Sequence, residues 1–194
     1  MKTIFEQVEG NQKGLIVRLE TQLAIDAFFG LGIINIQNEC NEVAKKYRAL
    51  WGSKPQTELM KEYYLDIPYS QGLRELEPTY ELSAPQTLRI RILDSAMQGR
   101  PDTPAMVTFP ENDETLPLVT IFLNSVQIKE DTVMCKGNPF SLVVYHELAH
   151  ACGEISKPGR PIHDGIIRHT LVIAEAIKNL ENKDLGVYKA LKKN

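Results

Sequence analysis

The chain has 194 residues, 43% of them hydrophobic and 24% charged, and its formal net charge at pH 7 is -3. This length suits one domain with its own buried core, and the composition is that of an ordinary globular protein. A nucleic-acid-binding surface needs an excess of Lys and Arg, so the acidic balance argues against nucleic acid as the main partner. Three scattered cysteines, Cys40, Cys135 and Cys152, indicate buried thiols in a reducing compartment.

Two segments bear on the cellular location of the protein, because one lacks the features of a secretory signal and the other is too short to span a membrane. Residues 1–13 include Glu6 and Glu9, without the basic flank and apolar run of a secretory signal. The most apolar region, Ala24 to Ile36, contains Asp26 and is shorter than the roughly 20 residues that a membrane span needs. We therefore expect a cytoplasmic protein with no membrane partner, although secretion as an effector is also compatible with the sequence. No feature predicts an oligomeric state.

The first hundred residues are predicted to be mostly helical. A second helix is expected from about Asn38 to Trp51 and a third from Pro55 to about Tyr64. Residues 68–85 contain several Pro and Gly and are expected to form a loop. Gln86 to Gln98 fits helix or strand, and helix is preferred. The first helix is predicted over Leu15 to Phe28 from apolar residues at roughly helical spacing: Leu15, Leu19, Leu23 and Phe28, with Ile16 and Ala27.

The second half predicts strands followed by helices. Ala105 to Phe109 and Leu118 to Leu123 are short β-rich runs on either side of an acidic loop, which indicates a strand pair. The apolar run Phe140 to Ala151 predicts a buried helix, with Asn138-Pro139 as its N-cap and first-turn residues and Gly153 just past its end.

A last amphipathic helix is expected from about Ile166 to Leu180. Strands, a buried helix and a second helix in this order predict the α+β class. We expect a single domain over residues 1–194, with a helical lobe at 1–100. Residues 101–194 would supply the strands, the buried helix and the C-terminal helices.

The buried helix carries two histidines and a glutamate. His146 and His150 are one helical turn apart, so both rings project from the same face and can bind one metal ion. Zinc accepts imidazole nitrogen readily. Glu147 lies about 100° round the helix, where it would reach a zinc-bound water and not the metal. The ion lowers the pKa of that water toward about 7, and Glu147 can move its proton to the leaving amine.

The helix around these residues is otherwise apolar, and burying three polar side chains there is costly unless they bind each other or a metal. The bland interpretation is a pair of hydrogen-bonded core histidines. The spacing of His146, Glu147 and His150 instead favours the active-site helix of a zinc metalloprotease.

A catalytic zinc needs a third protein ligand, which leaves the fourth position for water. On a helix that reaches back to His163, the apolar stripe places His163 at the edge of the inward face. His169 and Glu175 project away from that stripe. His163 is therefore the predicted third ligand, with Glu175, Asp164 and His169 as alternatives.

The segment from about Leu118 to Arg168 resembles the zincin metalloproteases, and most of all the SprT-like family. The likeness rests on the strand Ile121-Phe-Leu-Asn124, the segment Tyr145-His-Glu-Leu-Ala-His150, and His163 after twelve intervening residues. ImmA/IrrE-like peptidases and bacterial effector proteases have a similar helix. In the ImmA/IrrE-like group a Glu farther along is a ligand, and Glu175 stands in a comparable place.

The resemblance implies a zincin-like fold with a Zn²⁺ cofactor held by His146, His150 and His163. Glu147 would then be the general base and acid. The sequence as a whole predicts a zinc endopeptidase that acts on a protein or peptide substrate. One alternative is a non-catalytic zinc-binding interaction protein, against which the intact Glu147 argues. Another is a nucleic-acid-associated factor, which follows from the SprT-like resemblance alone and which the acidic balance does not favour.

Overall fold

The computed structural model describes residues 1–53, 80–109, 116–130, 132–153 and 172–182. These residues form four helices and two sheets, which confirms the predicted α+β class. The helices are α1 (Asn11–Gly30), α2 (Ile33–Ser53), α3 (Phe140–Ala151) and α4 (172–182). The strands are β1 (Lys2–Val8), β2 (Thr87–Leu93), β3 (Ala105–Thr108), β4 (Leu118–Phe122), β5 (Val126–Lys129), β6 (Thr132–Cys135) and β7 (Asn138–Pro139).

The chain divides into two compact units, each made from two separate segments. The sheet unit combines Met1–Gly30 with Ser83–Glu154, and the helical unit combines Leu31–Leu82 with Ile155–Asn194. All seven strands, α1 and α3 belong to the sheet unit, whereas α2 and α4 belong to the helical unit. The single domain predicted for residues 1–194 stays a prediction.

The larger sheet of the sheet unit has the order β1-β2-β4-β3. β1, β2 and β4 are parallel, and β3 runs antiparallel to β4, with Val107 opposite Val119. The last pairing confirms the strand pair predicted on either side of the acidic loop. Every residue of β4 is buried, as expected of a strand in the interior of a sheet.

The preference for helix over Gln86 to Gln98 is wrong, because residues 87–93 form β2. Leu88, Ile90 and Ile92 are buried and alternate with half-buried residues, the period-two pattern of a strand. On the partly exposed face, Arg89 and Arg91 both pair with Glu6 of β1, and Arg91 Nε lies 2.9 Å from the carboxylate. Glu6 stands at an irregularity in the β1–β2 register, between Phe5 and Gln7.

The first predicted helix is confirmed as α1, but of the apolar residues from which it was predicted the three leucines are exposed and Phe28 is buried. Leu15, Leu19 and Leu23 are 54%, 66% and 62% exposed. Both sides of the helix carry apolar residues, so the sequence pattern does not define the buried side. The buried side is the one that packs against α3 and the larger sheet. At its start, a Cβ on Gly14 would clash with the carbonyl oxygen of Glu9, five residues earlier in the chain. The residues buried along α1 are Gly14, Val17, Thr21, Ala24, Ile25 and Phe28.

The smaller sheet is antiparallel, in the order β5-β6-β7, and leads directly into α3. Its second hairpin pairs Cys135 with Asn138 and turns through Lys136 and Gly137. Both turn residues have positive φ, 48° and 81°, as a two-residue type I′ turn requires. This hairpin fixes where the chain enters α3.

In the helical unit, α2 confirms the second predicted helix, and α4 confirms the described part of the last one. Lys46 Nζ lies 2.6 Å from Glu175 Oε1, and Asn179 Nδ2 donates to Glu39 Oε1 at 2.9 Å. The third predicted helix, from Pro55 to about Tyr64, lies outside the described residues.

Among the described residues, no single helix is both long and apolar enough to cross a membrane. Helix α1 and the segment Ile33–Lys46 pass that test of length and composition only when they are taken together across a bend.

Candidate active site

The site is built on α3, an apolar helix buried from Val144 to Ala151. It packs against α1 and the larger sheet. Where it meets α1, the rings of Tyr145 and Phe28 stack with their centroids 6.1 Å apart. The aromatic residue directly before His146 is a local signal for such a contact, whereas its partner Phe28 is distant in the sequence. The contact helps to fix the position of α3 in the core.

Backbone contacts, and not a side-chain cap, fix the two ends of α3. The predicted Asn138 cap is wrong: Pro139 is the N-cap, makes no side-chain hydrogen bond, and pairs with Met134 through β7. At the other end Gly153 has the predicted C′ position, with φ of 100°. The Gly153 N–H donates to the His150 carbonyl oxygen at 3.0 Å, and the Ser83 N–H donates to the Cys152 carbonyl oxygen at 2.9 Å.

His146 and His150 form a close pair on the buried helix. Their Nε2 atoms are 3.0 Å apart and their rings meet edge to face, with a centroid separation of 4.7 Å. The two residues are only 7% and 8% exposed. Two imidazole nitrogens bound to a tetrahedral zinc at about 2.0–2.1 Å would lie about 3.3 Å from each other. The observed spacing is close to that value, so the pair fits a metal ion.

Glu147 lies between the two histidines along the helix and is 7% exposed. Burial raises the pKa of its carboxyl to about 8. Within the described part of the chain, no hydrogen bond or ion pair reaches this carboxyl. A buried polar group without a partner is destabilising, and such groups are often found at functional sites. A carboxyl in this state suits a site that receives a water molecule.

The predicted third ligand cannot be placed beside this pair. His163, Asp164 and His169 all lie outside the described residues. Glu175 is on α4 of the helical unit, where it pairs with Lys46. Among the residues that the structure describes, no three His, Cys, Asp or Glu side chains form a metal-binding group. The identity of the third ligand stays a prediction.

Cys152 follows α3 directly and is 1% exposed. Burial raises the pKa of its thiol to about 12, so the thiol stays protonated at neutral pH. A metal ligand or nucleophile would have to be the thiolate. Cys152 is therefore a core residue, as the sequence indicated.

The chain matches no protein-family model, and comparisons with curated proteins and with solved structures found no match either.

Proposed function

We propose that this protein is a zinc-dependent endopeptidase with its active site on α3. One observation carries the proposal: two histidine Nε2 atoms 3.0 Å apart, one turn apart on a buried helix. Glu147, buried and adjacent to His146, supplies the acid-base group that hydrolysis needs. The substrate is a protein or peptide. His163 is the proposed third ligand, and Glu175, Asp164 and His169 are the alternatives.

A zinc ion held by His146 and His150 would supply a Lewis acid that acidifies a water molecule and polarises a peptide carbonyl. Glu147, whose ionised form the positive charge of that zinc would favour, takes one proton from the water with its carboxylate as the water oxygen bonds to the carbonyl carbon. The same carboxyl then gives the proton to the peptide nitrogen, and the C–N bond breaks. The products are a carboxylic acid and an amine, and Glu147 returns to its starting state.

Two simpler roles for the helix account for fewer of the observations. A core histidine pair explains the contact between His146 and His150 but leaves the burial of Glu147 unexplained. A structural zinc site is closed by four protein ligands and needs no free carboxyl beside it. Hydrolysis uses all three residues.

The proposal is tested by degradation of a peptide library in which new termini are identified by mass spectrometry. The wild-type protein should produce new termini that vanish with a zinc chelator and return when zinc is added back. Glu147→Gln keeps the size of the side chain but cannot accept the proton, so it should produce none while retaining zinc. Cleavage by Glu147→Gln within about tenfold of wild type would show that Glu147 is not the base.

A further inference from the structure

A second site lies on the sheet unit, in an open groove to which α3 contributes no residue. The groove has a volume of about 680 Å³, which is within the range of ligand-binding cavities. One wall is the start of α1, with Gln12, Lys13 and Ile16. The other wall is the whole of β5, Val126–Lys129.

All four consecutive residues of β5 line the groove. Successive side chains of a strand point to opposite faces, so this lining indicates a groove along the strand's edge and not on one face. β5 is the end strand of the order β5-β6-β7, and among the described residues it pairs with β6 alone. In an antiparallel pair, the N–H and C=O groups of alternate residues point away from the partner strand. The Val126 N–H already donates to the Leu123 carbonyl oxygen, and no described strand pairs with the rest of this edge of β5, which can therefore pair with a further strand.

The described side chains that line the groove are two lysines, two glutamines and three apolar residues, and none of them is acidic. Lys13 and Lys129 contribute positive charge. The first turn of α1 also lacks an acidic residue, so Lys13 adds to the positive end of the helix dipole. The Lys13 Nζ donates to the Leu123 carbonyl oxygen at 2.6 Å, which holds the ammonium group in position. Ile16 and the 36%-exposed Ile128 provide apolar surface.

We propose that the edge of β5 binds an extended peptide segment in which acidic and apolar residues alternate. The backbone of this segment would add a strand beside β5. Side chains of an added strand alternate between faces like those of β5 itself. Its apolar residues would therefore pack on the side of Ile128, and its acidic residues would lie on the side of Lys129. The interaction needs neither zinc nor hydrolysis, so it is independent of the proposed peptidase activity.

The test uses a fluorescein-labelled six-residue peptide that alternates glutamate and valine, and it measures binding to the full chain by fluorescence anisotropy. Wild type should bind the peptide, and added salt should weaken binding. A peptide that alternates lysine and valine should bind at least about fivefold more weakly, because its charges are repelled. A glutamate–valine peptide with N-methyl groups on alternate backbone nitrogens should bind similarly weakly, because it cannot donate to β5.

Two protein variants with equal changes of charge complete the test. Lys129→Glu, in the groove, should weaken binding of the glutamate–valine peptide about fivefold or more. Lys136→Glu, in the turn between β6 and β7, should bind like wild type. If the N-methylated peptide binds as tightly as the unmethylated one, the peptide does not add a strand to β5. If Lys129→Glu and Lys136→Glu weaken binding equally, the groove is not the binding site. Measuring Glu147→Gln in parallel removes any contribution from cleavage of the peptide.

Discussion

The Nε2 atoms of His146 and His150 lie 3.0 Å apart on successive turns of one buried helix. We predict that the purified protein, never exposed to chelator, contains about one zinc per chain. His146→Ala and His150→Ala should each reduce this content several-fold and lower the melting temperature, because metal binding stabilises the folded state. Elemental analysis measures the content. Less than about a tenth of an equivalent in wild type, with no uptake of added zinc, would contradict the metal site.

The metal-free protein should lose stability as the pH rises from about 4.5 to about 8, the range in which Glu147 is protonated only in the folded state. Burial raises the pKa of this carboxyl from 4.5 to about 8 in the folded state. Between these values the folded protein holds a proton that the unfolded chain has lost, so the free energy of unfolding falls with rising pH. Glu147→Gln should remove this loss and be more stable than wild type at about pH 9, by up to roughly 5 kcal/mol. Urea denaturation at several pH values measures the difference, which should disappear near pH 4.

The third ligand can be identified with three variants. His163→Ala should sharply reduce zinc affinity, measured by titration against a competing chelator, whereas Glu175→Ala should leave it nearly unchanged. Because Glu175→Ala also removes the ion pair with Lys46, Lys46→Ala serves as its matched control. If Glu175→Ala loses zinc while Lys46→Ala and His163→Ala retain it, the third zinc ligand is Glu175 and not His163. Retention of zinc in all three would point to Asp164 or His169.

The contact of Glu6 with Arg89 and Arg91 should stabilise the sheet unit in a pH-dependent way. The hydrogen bond and charge of Arg89 hold the pKa of Glu6 below its ordinary value of 4.5. A lowered acid pKa stabilises the fold above the unfolded pKa, and the effect is lost as the pH falls through the folded pKa. At neutral pH, Glu6→Gln should lower the free energy of unfolding by less than about 1 kcal/mol, since the groups are partly exposed. A difference that persists unchanged in strong acid would contradict this account.

Two glycines of α1 offer a matched pair of substitutions. A Cβ at Gly14 would lie 1.7 Å from the Glu9 carbonyl oxygen, and the backbone would have to move. Gly14→Ala should therefore destabilise the protein by several kcal/mol in thermal or urea unfolding. A Cβ at Gly30 meets nothing within 4 Å, so Gly30→Ala should be neutral or stabilise by up to about 1 kcal/mol. Similar results for the two variants would show that α1 can shift away from Glu9.

The elements predicted correctly are those in which the pattern of apolar residues within one segment agrees with the burial of that segment in the fold. The apolar run of α3 is continuous because that helix is buried on nearly every side, and the spacing of His146 and His150 follows from helix geometry alone. The pair β3 and β4 was predicted from two short β-rich runs joined by an acidic loop. In each case the residues that give the signal are neighbours in the chain.

Other features depend on contacts with parts of the fold that the pattern of one segment does not reveal. The buried side of α1 is decided by its packing against α3 and the larger sheet, which leaves the apolar stripe of Leu15, Leu19 and Leu23 exposed. The local alternation from Leu88 to Ile92 was a sufficient signal for strand β2, whereas its pairing with β1 and β4 depends on residues distant in sequence. The prediction that Asn138 caps α3 is wrong because Asn138 instead pairs with Cys135 as part of strand β7.

The order in which the chain is made limits when either unit can form. Lys2 pairs with Thr87, a separation of 87 − 2 = 85 residues, so β1 must wait for β2, its strand partner among the described residues, to be synthesised. At roughly 5–20 residues per second on the ribosome, this delay lasts several seconds. Closing so long a loop also carries an entropic penalty, which grows only slowly with its length. A nascent chain that has reached a point between Gly30 and Ser83 contains the opening segment of each unit and the complete core of neither.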